Sequence, residues 1–151
     1  MMLSEHFSLQ ELCKSETALR KGINNSPHKE EVVENLTFLC SEILEPIREN
    51  FGVPFSPQSG YRCPVLNKIL GSSDRSQHVK GEAADIEIPT VDNSDLAIWI
   101  SKNLIFDQLI LECYTPGEST SGWVHISRTD DENRAECLTY DGKNYHNGLI
   151  V

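Results

Sequence analysis

The chain has 151 residues, 38% apolar and 24% charged, enough to bury a hydrophobic core in a single domain spanning 1–151 without disulfide support. Thirteen Lys and Arg against 23 Asp and Glu give a formal net charge of −10, which excludes a broad basic surface and, with it, nucleic acid as a partner. No apolar run is long enough for a membrane span, and Met1 to His6 lack the basic region and apolar core of a secretory signal, so synthesis in the cytoplasm is expected. The cysteines, Cys13, Cys40, Cys63, Cys113 and Cys137, are odd in number and contain no C-x-x-C pair, which predicts reduced thiols in core or half-buried places.

In chain order, Ser26-Pro27 offers an N-cap and a proline for the first helical position. From Val32 to Ile47 apolar residues recur every three or four positions, predicting a helix with one buried face. Gly52 and Pro54 end that pattern and pass the chain into an extended stretch closing at Ser59-Gly60. The segment from Tyr61 to Asp85 is polar and rich in Gly and Ser, with a short helix expected after Pro64 and a loop through Gly71 to Arg75. Ala83 to Ile88 alternates as a strand, with Ala83, Asp85 and Glu87 on one face and Ala84, Ile86 and Ile88 on the other. Asn93 or Ser94 caps a helix through Leu96, Trp99 and Ile100. Phe106 to Glu112 and Trp123 to Ser127 read as strands, and the turn-rich Pro116 to Gly122 between them predicts antiparallel neighbours. The acidic run Asp130 to Glu132 reads as a solvated turn.

Chemistry concentrates in Ser76-Gln77-His78-Val79-Lys80-Gly81-Glu82-Ala83-Ala84-Asp85, where six residues, a turn-forming glycine among them, separate an imidazole from a carboxylate. Neutral imidazole and ionised carboxylate suit Zn²⁺, and a catalytic zinc site takes three protein ligands and keeps a fourth position open. His125 is the natural third ligand, because it shares a strand face with Trp123 and Ser127 while Val124 and Ile126 face the core. On the preceding strand Phe106, Gln108, Ile110 and Glu112 share a face, so Glu112 can lie beside His125 and serve as general base. The remaining histidines, His6, His28 and His146, read as structural.

Ser-x-His-x-x-Gly-x-Ala-x-Asp followed by Trp-x-His resembles the zinc-site pattern of the M15 peptidases, which have the hedgehog/DD-peptidase fold. The upstream segments His6 to Leu12, Ser15 to Ala18, Asn25 to Pro27 and Ser59 to Asn67 resemble the branch often encoded by phages and bacteria. The resemblance implies an α+β fold with an antiparallel sheet packed against helices. It further implies Zn²⁺ on His78, Asp85 and His125, Glu112 as base, Arg62 holding a substrate carboxylate and Ser76 bonding the substrate carbonyl. Several family members place the catalytic Glu three residues before the last histidine; here that position is Gly122. The implied activity is hydrolysis of peptide bonds next to D-amino acids in peptidoglycan stem peptides, as a D-Ala-D-Ala carboxypeptidase or an endopeptidase, by a monomer. The enzyme would reach the wall after release, as an endolysin does, or on a virion. The alternatives are a non-catalytic zinc-containing module and a phage structural domain of the same fold.

Overall fold

The computed structural model describes residues 1–151. Two short helices open the chain, α1 (Leu9–Cys13), with a capping box formed by Ser8 and Glu11, and α2 (Glu16–Lys21), capped by Ser15. The long amphipathic helix follows in three joined pieces: α3 (Glu30–Leu39), a π turn over Cys40–Leu44 and α4 (Glu45–Phe51). Pro46 accounts for the π turn. It has no N–H to give and its ring would collide with the Glu42 carbonyl; widening the preceding turn, with Glu45 N–H bonded to the Cys40 carbonyl, carries the helix past it.

The helix start differs from the sequence reading. Ser26 and Pro27 lie in coil, and Lys29 occupies the N-cap without a side-chain bond. The cause is Asn25, whose side chain donates to the Cys13 and Tyr61 carbonyls and accepts from Cys63 N–H, pinning this stretch against two other segments. Helices α5 (Pro64–Ile69), α6 (Gln77–Lys80) and α7 (Asn93–Asn103) complete the set. The N-cap of α7 is Asp92 rather than Asn93 or Ser94, because the Asn93 amide turns to the Thr120, Ser121 and Gly122 carbonyls instead.

Five strands, β1 (Ala83–Ile86), β2 (Gln108–Glu112), β3 (Trp123–Ser127), β4 (Glu136–Tyr140) and β5 (Tyr145–Asn147), form one sheet in the order β1-β3-β2-β4-β5. The β2–β3 pair is antiparallel, as its loop composition predicts. The sheet as a whole is mixed rather than antiparallel, because β4 runs parallel to β2. The chain leaves β3 where β2 begins, so a strand laid on the far side of β2 from there runs in the direction of β2. Asp107 fixes the crossing: its carboxylate grips Arg134 through Nε and Nη2, the latter at 2.7 Å, and accepts from Arg134 N–H. That grip holds the Asp107 carboxyl below the usual range.

One sheet face, including Ala84, Ile86, Leu109, Leu111, Val124 and Ile126, joins the helices in a core of 26 buried residues. The opposite face carries Asp85, His125, Ile110 and Glu112, as alternation predicts. All five cysteines are unpaired; Cys40 and Cys63 are buried, Cys13 and Cys137 half-buried, and Cys113 exposed. No helix is long and apolar enough to cross a membrane.

Candidate metal centre and active site

Three segments deliver donor atoms to one point. Ser76 caps α6 by accepting from His78 N–H, and Gly81 ends the helix at φ 76°, where any Cβ would stand 2.8 Å from the Val32 carbonyl oxygen. That left-handed turn sends the chain from helix directly into β1, bringing His78 over the strand that carries Asp85. The β1–β3 register then sets Asp85 directly opposite His125.

Asp85 Oδ1 lies 3.0 Å from His125 Nδ1 and 3.5 Å from His78 Nε2. The two rings are 5.1 Å apart at 61°, and the three donor atoms all lie within 4.8 Å of one another. Ligands at about 2.0–2.1 Å from a tetrahedral ion stand roughly 3.3 Å apart, so small adjustments close this set on a cation. His78 Nδ1 is 2.7 Å from the Gly60 carbonyl oxygen, which can only accept; Nδ1 therefore carries a proton, and Nε2 is the nitrogen turned toward Asp85. Burial alone would raise the Asp85 carboxyl, but hydrogen bonds and charge from His125 and His78 outweigh it and hold the group ionised, well below the usual carboxylate range. Two imidazoles and an ionised carboxylate fit a divalent metal of the zinc type.

Arg62 borders the triad. Its Nη2 donates to Asp85 Oδ2 at 3.3 Å, Nε to Ser59 Oγ at 3.1 Å and Nη1 to Ser72 Oγ at 3.1 Å. Three of its five N–H bonds are thus committed, leaving one on each terminal nitrogen. Burial pulls its pKa down while Asp85 and Glu112 oppose that, and the group stays a cation. Beyond Arg62 a cleft of about 800 Å³ runs past Ser59 toward Lys14, Thr17 and Leu19, so the triad lies at its border rather than inside it.

Glu112 closes β2 on the same face. Ile110 is paired with His125 and Glu112 with Trp123, which makes Glu112 and His125 diagonal neighbours, about 7–8 Å apart between Cα atoms. Its carboxylate forms no hydrogen bond within the protein. Burial raises its pKa, Asp85 adds to this, and His125 and Arg62 oppose it. The chain then turns at Cys113 with φ 49°. Across the hairpin Gly122 has φ 64°, and a Cβ there would stand 1.9 Å from the Glu112 carbonyl oxygen. A glutamate three residues before His125 is thereby sterically excluded by the strand end that carries Glu112.

Ser76 is half-buried, its oxygen engaged with His78 N–H and its hydroxyl proton without an acceptor in the protein. His146 lies on β5 opposite Thr139, off the site face, and pairs with Asp141 at 2.9 Å. His6 pairs with Glu45. The sequence reading passed over Ser59, Ser72 and the Gly60 carbonyl, which hold Arg62 and His78; only Ser59-Gly60 next to Tyr61-Arg62 hinted at them.

The sequence model of the family described as Peptidase M15 matches residues 5–127, a stretch that contains His78, Asp85, His125, Arg62, Ser76 and Glu112. No curated protein matches the chain.

Proposed function

Because the chain belongs to the peptidase M15 family, we propose that it is a zinc metallopeptidase with the hedgehog/DD-peptidase fold, cutting peptide bonds next to D-amino acids in peptidoglycan stem peptides. The observation that carries this reading is the convergence of His78, Asp85 and His125 beside an ionised Arg62 and a carboxylate with no other partner. When bound there, Zn²⁺ lowers the pKa of a water molecule toward neutrality and polarises a carbonyl. His78 is held for ligation by its bond to Gly60, and Arg62 steadies Asp85 through Oδ2. Glu112 accepts the proton of the attacking water and returns it to the leaving amine, a task suited to a carboxyl that burial raises above its ordinary value. The two uncommitted N–H groups of Arg62 receive a substrate carboxylate, and the free hydroxyl proton of Ser76 reaches the substrate carbonyl.

Zinc content and hydrolysis of a D-Ala-terminated stem peptide, measured on the same samples, test the reading. Wild-type protein should carry about one zinc per chain, and Glu112→Gln should keep it while losing turnover by roughly 10²–10⁴-fold. His78→Ala or Asp85→Ala should lose both metal and turnover. A zinc-loaded wild type inert on all peptidoglycan fragments would mark the chain as a non-catalytic module. Unchanged turnover in Glu112→Gln would remove Glu112 from the mechanism.

A further inference from the structure

The sheet face that carries the metal ligands does not end at Glu112. Strand register lays out a second row across it: Trp123 on β3 pairs with Glu112 on β2, and Tyr140 on β4 pairs with Tyr145 on β5. The parallel ladder joins Leu111 to Thr139, so the next residues, Glu112 and Tyr140, follow side by side, and Tyr114 N–H bonds the Tyr140 carbonyl at 3.0 Å. Cross-strand neighbours share a face, so the order of side chains is Trp123, Glu112, Tyr140, Tyr145. The two tyrosine rings stack at 4.4 Å and 28°, and Tyr145 is 58% exposed. Both lie beyond the residues that the family match covers. Partial burial pushes the Tyr145 hydroxyl up, and the charge of Glu112 adds to it, consistent with the proximity the register gives.

We propose that this tyrosine shelf seats a pyranose ring of the glycan to which the stem peptide is attached, making the enzyme selective for sugar-bearing substrate. The inference rests on the peptidoglycan reading above. Charge favours an uncharged occupant: the shelf lies between the carboxylate of Glu112 on one side and, on the other, a turn of mixed charge in which Asp141 is paired with His146 and Lys143 is exposed, and the chain as a whole carries −10, so an anionic peptide segment gains no net attraction there. An N-acetylated amino sugar is uncharged around its ring. Its C–H faces suit an exposed aromatic face, and its hydroxyl and amide groups suit the exposed polar rim of Asp141, Asn144 and Asn147. Two interstrand steps put Tyr145, the more exposed ring of the shelf, about 10 Å from Glu112. That distance corresponds to about three residues of extended peptide.

The test compares one stem peptide in two forms, free and carrying its N-acetylated amino sugar, on wild type, Tyr145→Phe and Tyr145→Ala. Wild type and Tyr145→Phe should favour the sugar-bearing form by about tenfold in kcat/KM, and Tyr145→Ala should abolish the preference. A short N-acetylglucosamine oligomer titrated into the protein, followed by NMR of the tyrosine rings, reads the shelf independently of hydrolysis. Ring shifts without hydrolysis of either peptide would overturn the peptidase reading and keep the shelf. Hydrolysis without a sugar preference, or with equal losses on both forms in Tyr145→Ala, and with no ring shifts, would overturn the shelf alone.

Discussion

Glu112, the proposed general base, is a carboxylate whose ionised form the fold poorly supports. Half-buried and without a hydrogen-bond partner, it has a pKa raised by burial, so the folded state favours the protonated form. Stability from such a group is complete below the ordinary carboxylate range and is lost as pH rises through the raised value. At neutral pH the metal-free fold therefore carries a poorly compensated charge, which Glu112→Gln removes. Thermal unfolding of metal-free Glu112→Gln at neutral pH should occur at or above the wild-type midpoint, and the two midpoints should converge below about pH 4. A variant midpoint well below wild type at neutral pH would mean that the ionised carboxylate is paired. Asp85 is the opposite case, its charge held by two histidines and Arg62.

At the scale of elements, the β2–β3 hairpin sets the geometry of the site, and Gly122 is where it closes. The Asn93 amide lies within 3.0–3.3 Å of the Gly122, Ser121 and Thr120 carbonyls, while Gly122 backs onto the Glu112 carbonyl. Gly122→Ala would pay about 1–3 kcal/mol for the left-handed backbone alone. The overlap with the Glu112 carbonyl must then be relieved by moving the end of β2. Denaturant unfolding should show at least that loss, and turnover should fall although no reacting group is changed; a variant with wild-type stability would contradict this packing. The same hairpin shows why part of the fold was legible. Strands β1, β2 and β3 alternate cleanly because one face is core and the other is the candidate site, and the His78 to Asp85 spacing around Gly81 announces the sharp turn that brings these two side chains together, although the short helix α6 before it was not anticipated. Strands β4 and β5 escaped notice because they are short and lie at the less covered end of the sheet, β4 half-buried and the edge strand β5 exposed, where burial imposes little pattern. The parallel pairing of β4 depends on the distant Asp107–Arg134 contact, and the π turn shifts the helical pattern by a residue that a 3.6-residue period does not anticipate.

For the molecule as a whole, the net charge of −10 governs its encounter with substrate. The proposed substrate, peptidoglycan, carries stem carboxylates, so on that reading an acidic chain meets long-range repulsion that fades as the Debye length shrinks from about 30 Å at 0.01 M salt to about 8 Å at 0.15 M. Hydrolysis of intact wall should therefore accelerate over that range, while hydrolysis of a small stem peptide whose remote carboxylates are amidated should change little. A rate on intact wall that falls with added salt would show that a local cationic surface, such as the cleft between Lys14 and Arg62, dominates the encounter instead.

The unusual backbone at Cys113 gives the molecule a built-in reporter. Burial pushes the thiols of Cys13 and Cys40 up to about 11 and 12, raises that of Cys137, and shields Cys63 from solvent, whereas Cys113 is displayed on a turn immediately after Glu112. Thiolate is the reactive form, so a maleimide applied briefly near neutral pH should modify one cysteine of five. Intact-mass spectrometry should show a single adduct, and peptide mapping should locate it at Cys113; adducts on several cysteines of the folded protein would show that the core thiols open readily. A fluorophore carried there would sit next to the proposed proton acceptor and at the near end of the tyrosine row, so its emission would follow substrate arrival without any engineered cysteine.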